Sequence, residues 1–270
     1  MIIVGWNIRA GGGRRIESIA KQLARWDADV VALSEYRGTP ASVWLADALR
    51  DMGLAHQLST VSTDDPARNS VFFASRWPVE RIAMSRLPRP SQRFLPVRVE
   101  ADEPFSLLAV YGPLGATGLR RPFNDRILAM LKRWRHEPGL LIGDTNTGKR
   151  GIDEESPVFD ARDDAWMDGL ARAGWPDAYR HLHGDERVYT WYSPNKGNGF
   201  RLDEAFVHRT LLARVTSVRY EWASDGGERR DAVSDHAAII LALAEQQQPS
   251  EDNAVGDDGA GQHVGGSGRP

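Results

Sequence analysis

The apolar run Leu140-Leu141-Ile142 leads directly into Gly143-Asp144-Thr145-Asn146. A short buried strand ending this way presents a carboxylate and a carboxamide two residues apart, on one side of the extended backbone, at its C-terminal mouth. Asp and Asn are also ordinary turn formers, so the pair gains weight only from the other strand ends. Four of these carry comparable groups: Asn7, Glu35, Asp203 in Arg201-Leu202-Asp203, and Asp235-His236 in Ser234-Asp235-His236. Taken singly, they read as a turn residue, a solvated strand terminus, an arginine partner and an edge histidine. Taken together, they are what a metal-dependent phosphate-ester hydrolase needs: oxygen ligands for a divalent cation, a base for water, and a donor facing the phosphoryl oxygens. Five such coincidences at strand ends favour the functional reading.

The elements that must position these groups follow from periodicity. Residues 1 to 8 read as a buried strand, and 14 to 26 as a helix with Ile16, Ile19, Ala20 and Leu23 on one face. Residues 28 to 33 return as a strand that delivers Glu35. A second helix starts after Thr39, with Pro40 in its first turn, and stops at Gly53. Strands are expected at about 54 to 60, 69 to 75, 79 to 84, 93 to 100 and 105 to 111, a helix at 122 to 135, and then the strand leading to Asp144. A helix at 161 to 173, closed by Gly174, precedes strands at 187 to 192, 200 to 208, 214 to 222 and 236 to 244. The close succession of strands, with turns such as Asp64-Asp65-Pro66, predicts antiparallel pairing and an α+β fold of two packed sheets flanked by helices.

Of 270 residues, 41% are hydrophobic, enough for a substantial core in one catalytic domain over 1–245. The tail 246–270 holds Glu251, Asp252, Asp257 and Asp258 against Arg269, so it carries the whole formal charge of -3. Its six glycines and few aliphatic residues predict disorder. A neutral body excludes a histone-like polycation and still permits a local basic face. The opening Met1-Ile2-Ile3-Val4 has no basic leader, and no run approaches the ~18 apolar residues of a membrane span. The expectation is a soluble cytoplasmic monomer without membrane association. With no cysteine, any metal must use oxygen or imidazole ligands.

In sequence order, Trp6-Asn7-Ile8, Leu33-Ser34-Glu35, Val110-Tyr111-Gly112-Pro113, Gly143-Asp144-Thr145-Asn146, Thr190-Trp191, Arg201-Leu202-Asp203 and Ser234-Asp235-His236 resemble the endonuclease/exonuclease/phosphatase superfamily. The resemblance spans about 1 to 244. Asp177-Ala178-Tyr179-Arg180 and Tyr189-Thr190-Trp191 are most similar to the exonuclease III and abasic-site endonuclease branch. It implies a DNase I-like four-layer αββα sandwich of two mainly antiparallel sheets, and Mg²⁺ or Mn²⁺ held chiefly by Glu35, with Asn7 and Asp235 near the ion or its waters. It further implies that Asp144 orients and deprotonates the attacking water, that Asn146 holds that water or a phosphate oxygen, and that Tyr111 contacts the phosphate. His236, oriented by Asp203, would donate to a non-bridging oxygen as charge builds up.

This sequence departs from the branch at several positions. The branch's Leu-Gln-Glu-Thr-Lys is Leu33-Ser34-Glu35-Tyr36-Arg37 here, and Leu114 stands where an Asn is usual. Trp191, Phe200 and Leu202 match positions lining the pocket for a flipped-out abasic sugar, while the loop from Tyr192 to Gly199 is shorter than the DNA-inserting loop typical there. Arg86, Arg89, Arg93 and Arg98, six basic residues across 120 to 135, Lys149-Arg150 and Lys196 suit a phosphate backbone, or else solvated faces and surface ion pairs. The expected activity is hydrolysis of DNA phosphodiesters, by endo- or exonucleolytic cutting and in the service of DNA repair. The alternatives are the same chemistry on a phospholipid or sugar-phosphate ester, and a binding module without turnover.

Overall fold

The computed structural model describes residues 1–136, 138–224, 226–229 and 232–244. The tail at 246–270 lies outside them. In chain order the strands are β1 (Ile2–Asn7), β2 (Val30–Tyr36), β3 (His56–Ser59), β4 (Ser70–Ser75), β5 (Val79–Arg81), β6 (Phe94–Val99), β7 (Phe105–Tyr111), β8 (Gly139–Asp144), β9 (Trp191–Tyr192), β10 (Gly199–Phe200), β11 (Asp203–Val207), β12 (Val215–Glu221) and β13 (Ala238–Leu243). The helices are α1 (Ile16–Trp26), α2 (Pro40–Asp51), α3 (Arg120–Leu131), α4 (Ala161–Arg172), α5 (Ala178–His183) and α6 (Arg209–Leu212).

Two main sheets form, in the orders β12-β13-β1-β2-β4-β3 and β11-β8-β7-β6-β5, and β9 pairs with β10 as a separate antiparallel ribbon. All neighbours are antiparallel except β1 with β2 and β7 with β8. Starting from β13 and from β11, both sheets therefore run through the same series of pairings: antiparallel, parallel, antiparallel, antiparallel. That is a duplicated plan in space which no sequence repeat advertises.

Strand alternation sorts the side chains into layers. Ile3, Val30, Ala32 and Phe73 of the first sheet meet Leu95, Val97, Leu107 and Ile142 of the second in the central core. Val4, Val31, Leu33 and Phe72 point the other way, onto α1 and α2 through Ile19, Leu23, Leu45 and Leu49. Leu108, Leu141 and Phe206 likewise cover α3 and α4 through Phe123, Ile127, Trp166 and Leu170. These are the four layers of the αββα sandwich. Gly5 lets the sheets close up, since a Cβ there would sit 2.8 Å from Ile142 Cγ1 and 2.9 Å from Ile239 Cγ2.

Several element ends differ from expectation. The third helix ends at Leu131, because its sheet-facing apolar series Phe123, Ile127, Leu131 stops there and Trp134 instead docks edge-on against Trp175, centroids 5.6 Å apart. The expected strand at 200–208 breaks into β10 and β11, with Arg201 between them turned into a buried ion cluster. Most of 187–192 is irregular. The short helix α5 was not foreseen, although Asp177 caps it by accepting from the amides of Tyr179 and Arg180 at 2.9 and 3.2 Å. No helix among the described residues is long and apolar enough to cross a membrane.

Candidate active site

The two parallel strand pairs build the site. Parallel neighbours bring their C-terminal ends to one edge, so β1 and β2 deliver Asn7 and Glu35 together, while β7 and β8 deliver Tyr111 and Asp144 as direct register partners. The sheets face each other, and the four residues meet at a shared rim. Glu35 occupies a bulge in β2, where the register with β4 shifts between Ser34 and Tyr36, and its φ of 59° is a left-handed value uncommon for a side-chain-bearing residue. The bulge re-aims the carboxylate. Strain of this kind persists only where the surroundings over-determine it. Glu35 Oε2 accepts from the Ala10 amide at 2.7 Å, and Oε1 accepts from the Tyr111 hydroxyl at 3.0 Å and Asn7 Nδ2 at 3.4 Å.

Asn7 Nδ2 also donates to Asp144 Oδ2 at 2.9 Å, while its Oδ1 accepts from the Arg9 amide at 2.9 Å. As oriented, Asn7 turns its nitrogen toward the carboxylates and its oxygen toward the loop behind. That loop, Arg9 to Gly13, has five consecutive residues of positive φ. Arg15 braces it by donating to the carbonyls of Ile8 at 3.2 Å and Arg9 at 2.6 Å.

Asp144 is buried, and its Oδ1 accepts from the Asn146 amide at 3.0 Å. Burial raises its pKa to about 7, with Asp203 adding to the rise and His236 opposing it. Asn146 has φ 51°. Its Nδ2 donates to the Gly112 carbonyl at 2.9 Å, and its own carbonyl accepts from Arg120 at 2.6 Å. Gly112 is obligatory here, because a Cβ would lie 2.1 Å from the Thr145 carbonyl oxygen.

Across the rim, His236 Nδ1 lies 2.9 Å from Asp203 Oδ2, both groups being buried. Asp203 starts β11 and pairs in register with Asp144. Thr190 fixes that start, its Oγ1 accepting from the amides of Leu202 and Asp203 at 3.0 and 3.3 Å. For His236, burial disfavours the imidazolium, but Asp203, then Asp144 and Asp235, outweigh it and raise the pKa to about 9. The ring is therefore cationic at neutral pH, with Nδ1 committed to Asp203 and Nε2 left for the cleft. Tyr111 is pushed up to about 12 by burial and by Glu35, so it stays a phenol.

Glu35, Tyr111, Asp144, Asn146 and His236 line a cleft of about 980 Å³ with Asp235, Lys196, Trp191, Phe200 and Leu202, while Asn7 and Asp203 sit behind it. Phe159, Phe200 and Leu202 form a small apolar cluster with Trp191 packed against it. Arg93 stands off to the side, its guanidinium 3.9 Å from the Tyr111 ring centroid and donating to the Gly112 carbonyl at 3.0 Å. Asp235 is exposed and lies 3.6 Å from Arg9. Among the described residues no three His, Asp or Glu side chains gather as a metal cage. The hard oxygen donors Glu35 and Asp235 on one open cleft instead fit a cation such as Mg²⁺, which keeps several waters and takes one or two carboxylates.

Part of the basic sequence serves the fold. Arg120 is buried and forks onto Asp163 at 2.9 and 3.1 Å, Arg121 pairs with Asp160, Lys149 with Asp168 and Arg150 with Asp164. The acids lie in or beside α4, about 40 residues from α3, so charge counting along one segment could not pair them. Asn69 was also missed. It accepts from Arg37 at 2.6 Å and donates to the Tyr111 hydroxyl at 3.4 Å, a relay that no local spacing encodes.

The fold is that of an AP endonuclease from Archaeoglobus fulgidus (TM-score 0.73, 18% identity, 90% of this chain and 99% of that one) and a 3'-5' exonuclease from Neisseria meningitidis (TM-score 0.69, 22% identity, 90% and 99%). In sequence the chain is 23% identical over 283 residues to an exodeoxyribonuclease of Streptococcus pneumoniae, covering 90% of this chain and 99% of that protein. The description Endonuclease/Exonuclease/phosphatase family matches residues 4–236, from the first strand to the histidine of the rim, and the chain belongs to that family.

Proposed function

We propose that this chain is a divalent-metal-dependent hydrolase of DNA phosphodiester bonds, with residues 1–245 as its catalytic domain. The observation that carries the reading is the meeting, at one cleft, of the buried carboxylate of Asp144 with His236, whose Nδ1 lies 2.9 Å from Asp203. A base and a cationic donor facing each other are what in-line attack on a phosphodiester requires. Similarity to an exodeoxyribonuclease and to AP endonuclease and 3'-5' exonuclease folds supports DNA as the substrate.

In this reading Asp144 takes the proton of the attacking water, and Asn146 orients that water or a phosphoryl oxygen. His236 donates from Nε2 to a non-bridging oxygen as negative charge accumulates. Tyr111 holds Glu35 and faces the phosphate, and Arg93 keeps Tyr111 in place. A Mg²⁺ or Mn²⁺ ion at Glu35, with Asp235 and Asn7 beside it, would supply Lewis-acid polarisation of the phosphate and stabilise the leaving oxygen. Lys196 binds the strand's phosphates, and Trp191, Phe200 and Leu202 receive the sugar side of the nucleotide. Every proposed group comes from one chain, which supports action as a monomer, and the cytoplasm is the compartment proposed for it.

The test is cleavage of end-labelled duplexes, one intact and one with a single abasic site, with Mg²⁺ or EDTA, beside Asp144→Asn. Metal-dependent cutting lost in the variant supports the reading, and the product pattern separates abasic-site incision from exonuclease action. Absence of cutting on both duplexes would overturn it. A second reading, the same chemistry on a phospholipid or sugar-phosphate ester, draws on the apolar cleft rim at Leu114 and Val158, 55% and 60% exposed. A nuclease loses affinity steeply with salt, and an esterase of small substrates does not.

A further inference from the structure

Strand β11 carries two buried acids in succession, and strand alternation points them to opposite faces. Asp203 faces His236. Glu204, fully buried and in register with Gly143, places Oε2 2.7 Å from the hydroxyl of Thr145, the residue between Asp144 and Asn146.

The charges around Glu204 are balanced without it. Arg201 donates to both oxygens of Asp153, at 2.7 and 3.1 Å, and to Asp177 at 2.6 Å, with Tyr220 at 3.3 Å; Arg180 also pairs with Asp153. Two guanidiniums thus face two aspartates. An ionised Glu204 would add one uncompensated buried charge, and its Oε1 has no hydrogen-bond partner, the nearest cation being Arg201 at 3.4 Å. Burial also pushes its pKa well above the usual carboxyl range.

Proton counting at Thr145 agrees. The hydroxyl has one proton and two acceptor positions. The Thr147 amide donates into one at 3.2 Å, and the carbonyl oxygens of Thr147 and Leu202, at 3.1 and 3.3 Å, can take the proton. A protonated Glu204 fills the remaining acceptor position. An ionised one would leave that position empty and put negative charge on a buried Oε1 that no donor reaches, whereas in the neutral acid that oxygen is an uncharged carbonyl.

We propose that Glu204 is a positioning residue which, as a neutral carboxylic acid, donates its proton to the Thr145 hydroxyl and so holds the Asp144–Asn146 turn in its reactive geometry. The turn needs such a clamp because Asn146 sits at positive φ. The inference rests on the reading of Asp144 and Asn146 as reacting groups.

The test compares Glu204→Gln, Glu204→Met and Thr145→Val in the full chain, by kcat and KM on the end-labelled duplex with Mg²⁺ and by infrared difference spectra against wild type. Gln keeps a donor for Thr145 and stays within about threefold of wild-type kcat, whereas Met and Thr145→Val each lower kcat by about tenfold or more with KM little moved. Glu204→Met combined with Thr145→Val is no worse than either alone. A protonated-carboxyl C=O stretch at neutral pH is present in wild type and missing in Glu204→Gln. The proposal is overturned if Gln is as poor as Met, which would mean that the charge matters, if Met is as active as wild type, or if the infrared band is absent. Should Met fail to fold by circular dichroism, Thr145→Val reads the same contact. A wild-type protein that cuts no phosphodiester would instead sink the reading of the site, and the infrared band alone would then decide the protonation of Glu204.

Discussion

Replacing Asp203 with Asn removes the carboxylate 2.9 Å from His236 Nδ1 while keeping its shape. In wild type this carboxylate is the main support of an imidazolium whose pKa is about 9 against an ordinary 6.5. The folded pKa is raised, so the charged ring stabilises the fold fully below pH 6.5, and the contribution is lost as pH rises through 9. The difference amounts to about 3 kcal/mol. Without Asp203 only Asp144 and Asp235 oppose the effect of burial, so the ring's pKa falls. Metal-free wild type in EDTA should therefore lose stability relative to Asp203→Asn as pH rises from 6.5 to 9 in urea titrations. Turnover gives the second readout. Loss of a charged donor to the developing phosphoryl charge costs about 10²–10³ in kcat, and the alkaline limb of the wild-type rate profile, near pH 9, moves to lower pH. A variant that keeps both its rate and its alkaline limb would refute the assignment of His236 as the cationic donor.

Tyr111→Phe removes the donor at 3.0 Å from Glu35 Oε1, and a Mg²⁺ titration of cleavage should show half-activation at several-fold higher metal, with folding unchanged. Arg120→Met leaves Asp163 buried and unpaired, and chemical denaturation should register a loss of about 3–5 kcal/mol. Gly112→Ala drives a Cβ against the Thr145 carbonyl; activity should fall by more than stability, because the displaced backbone flanks Asp144, and a circular-dichroism melt beside a rate assay separates the two.

The chain's strand ends were legible because periodicity exposes them. Asn7, Glu35 and Asp144 each follow an apolar run and each arrives at the rim, whereas Asp203 opens its strand instead of closing one. Thr39 and Pro40 gave the start of α2 for the same local reason, with Thr39 Oγ1 accepting from the Ser42 amide. What escaped depends on partners distant in sequence. The bulge that turns Glu35 is a mismatch with β4, not a property of Leu33-Ser34-Glu35. Arg201 reads as an ordinary strand residue until Asp153 and Asp177 are brought beside it. The basic stretch after Arg120 looks like a phosphate track because its acidic partners lie on α4. Hydrophobic pattern gives the layers; it is blind to which buried charge meets which.

The first sheet is finished by β13, the last strand among the described residues. β13 inserts between β12 and β1, pairing Ile3 with Leu241 across nearly the whole chain, and the segment entering it carries His236. During synthesis, then, Asn7 and Glu35 emerge early, Tyr111 and Asp144 midway, and the cationic donor only after almost every other described residue has left the ribosome. A nascent chain that stops short of His236 holds most of the rim and lacks the partner of Asp203. On the proposed roles, competence would come only with the closing of the sheet, and a product truncated before His236 would carry most of the site's residues without its cationic donor.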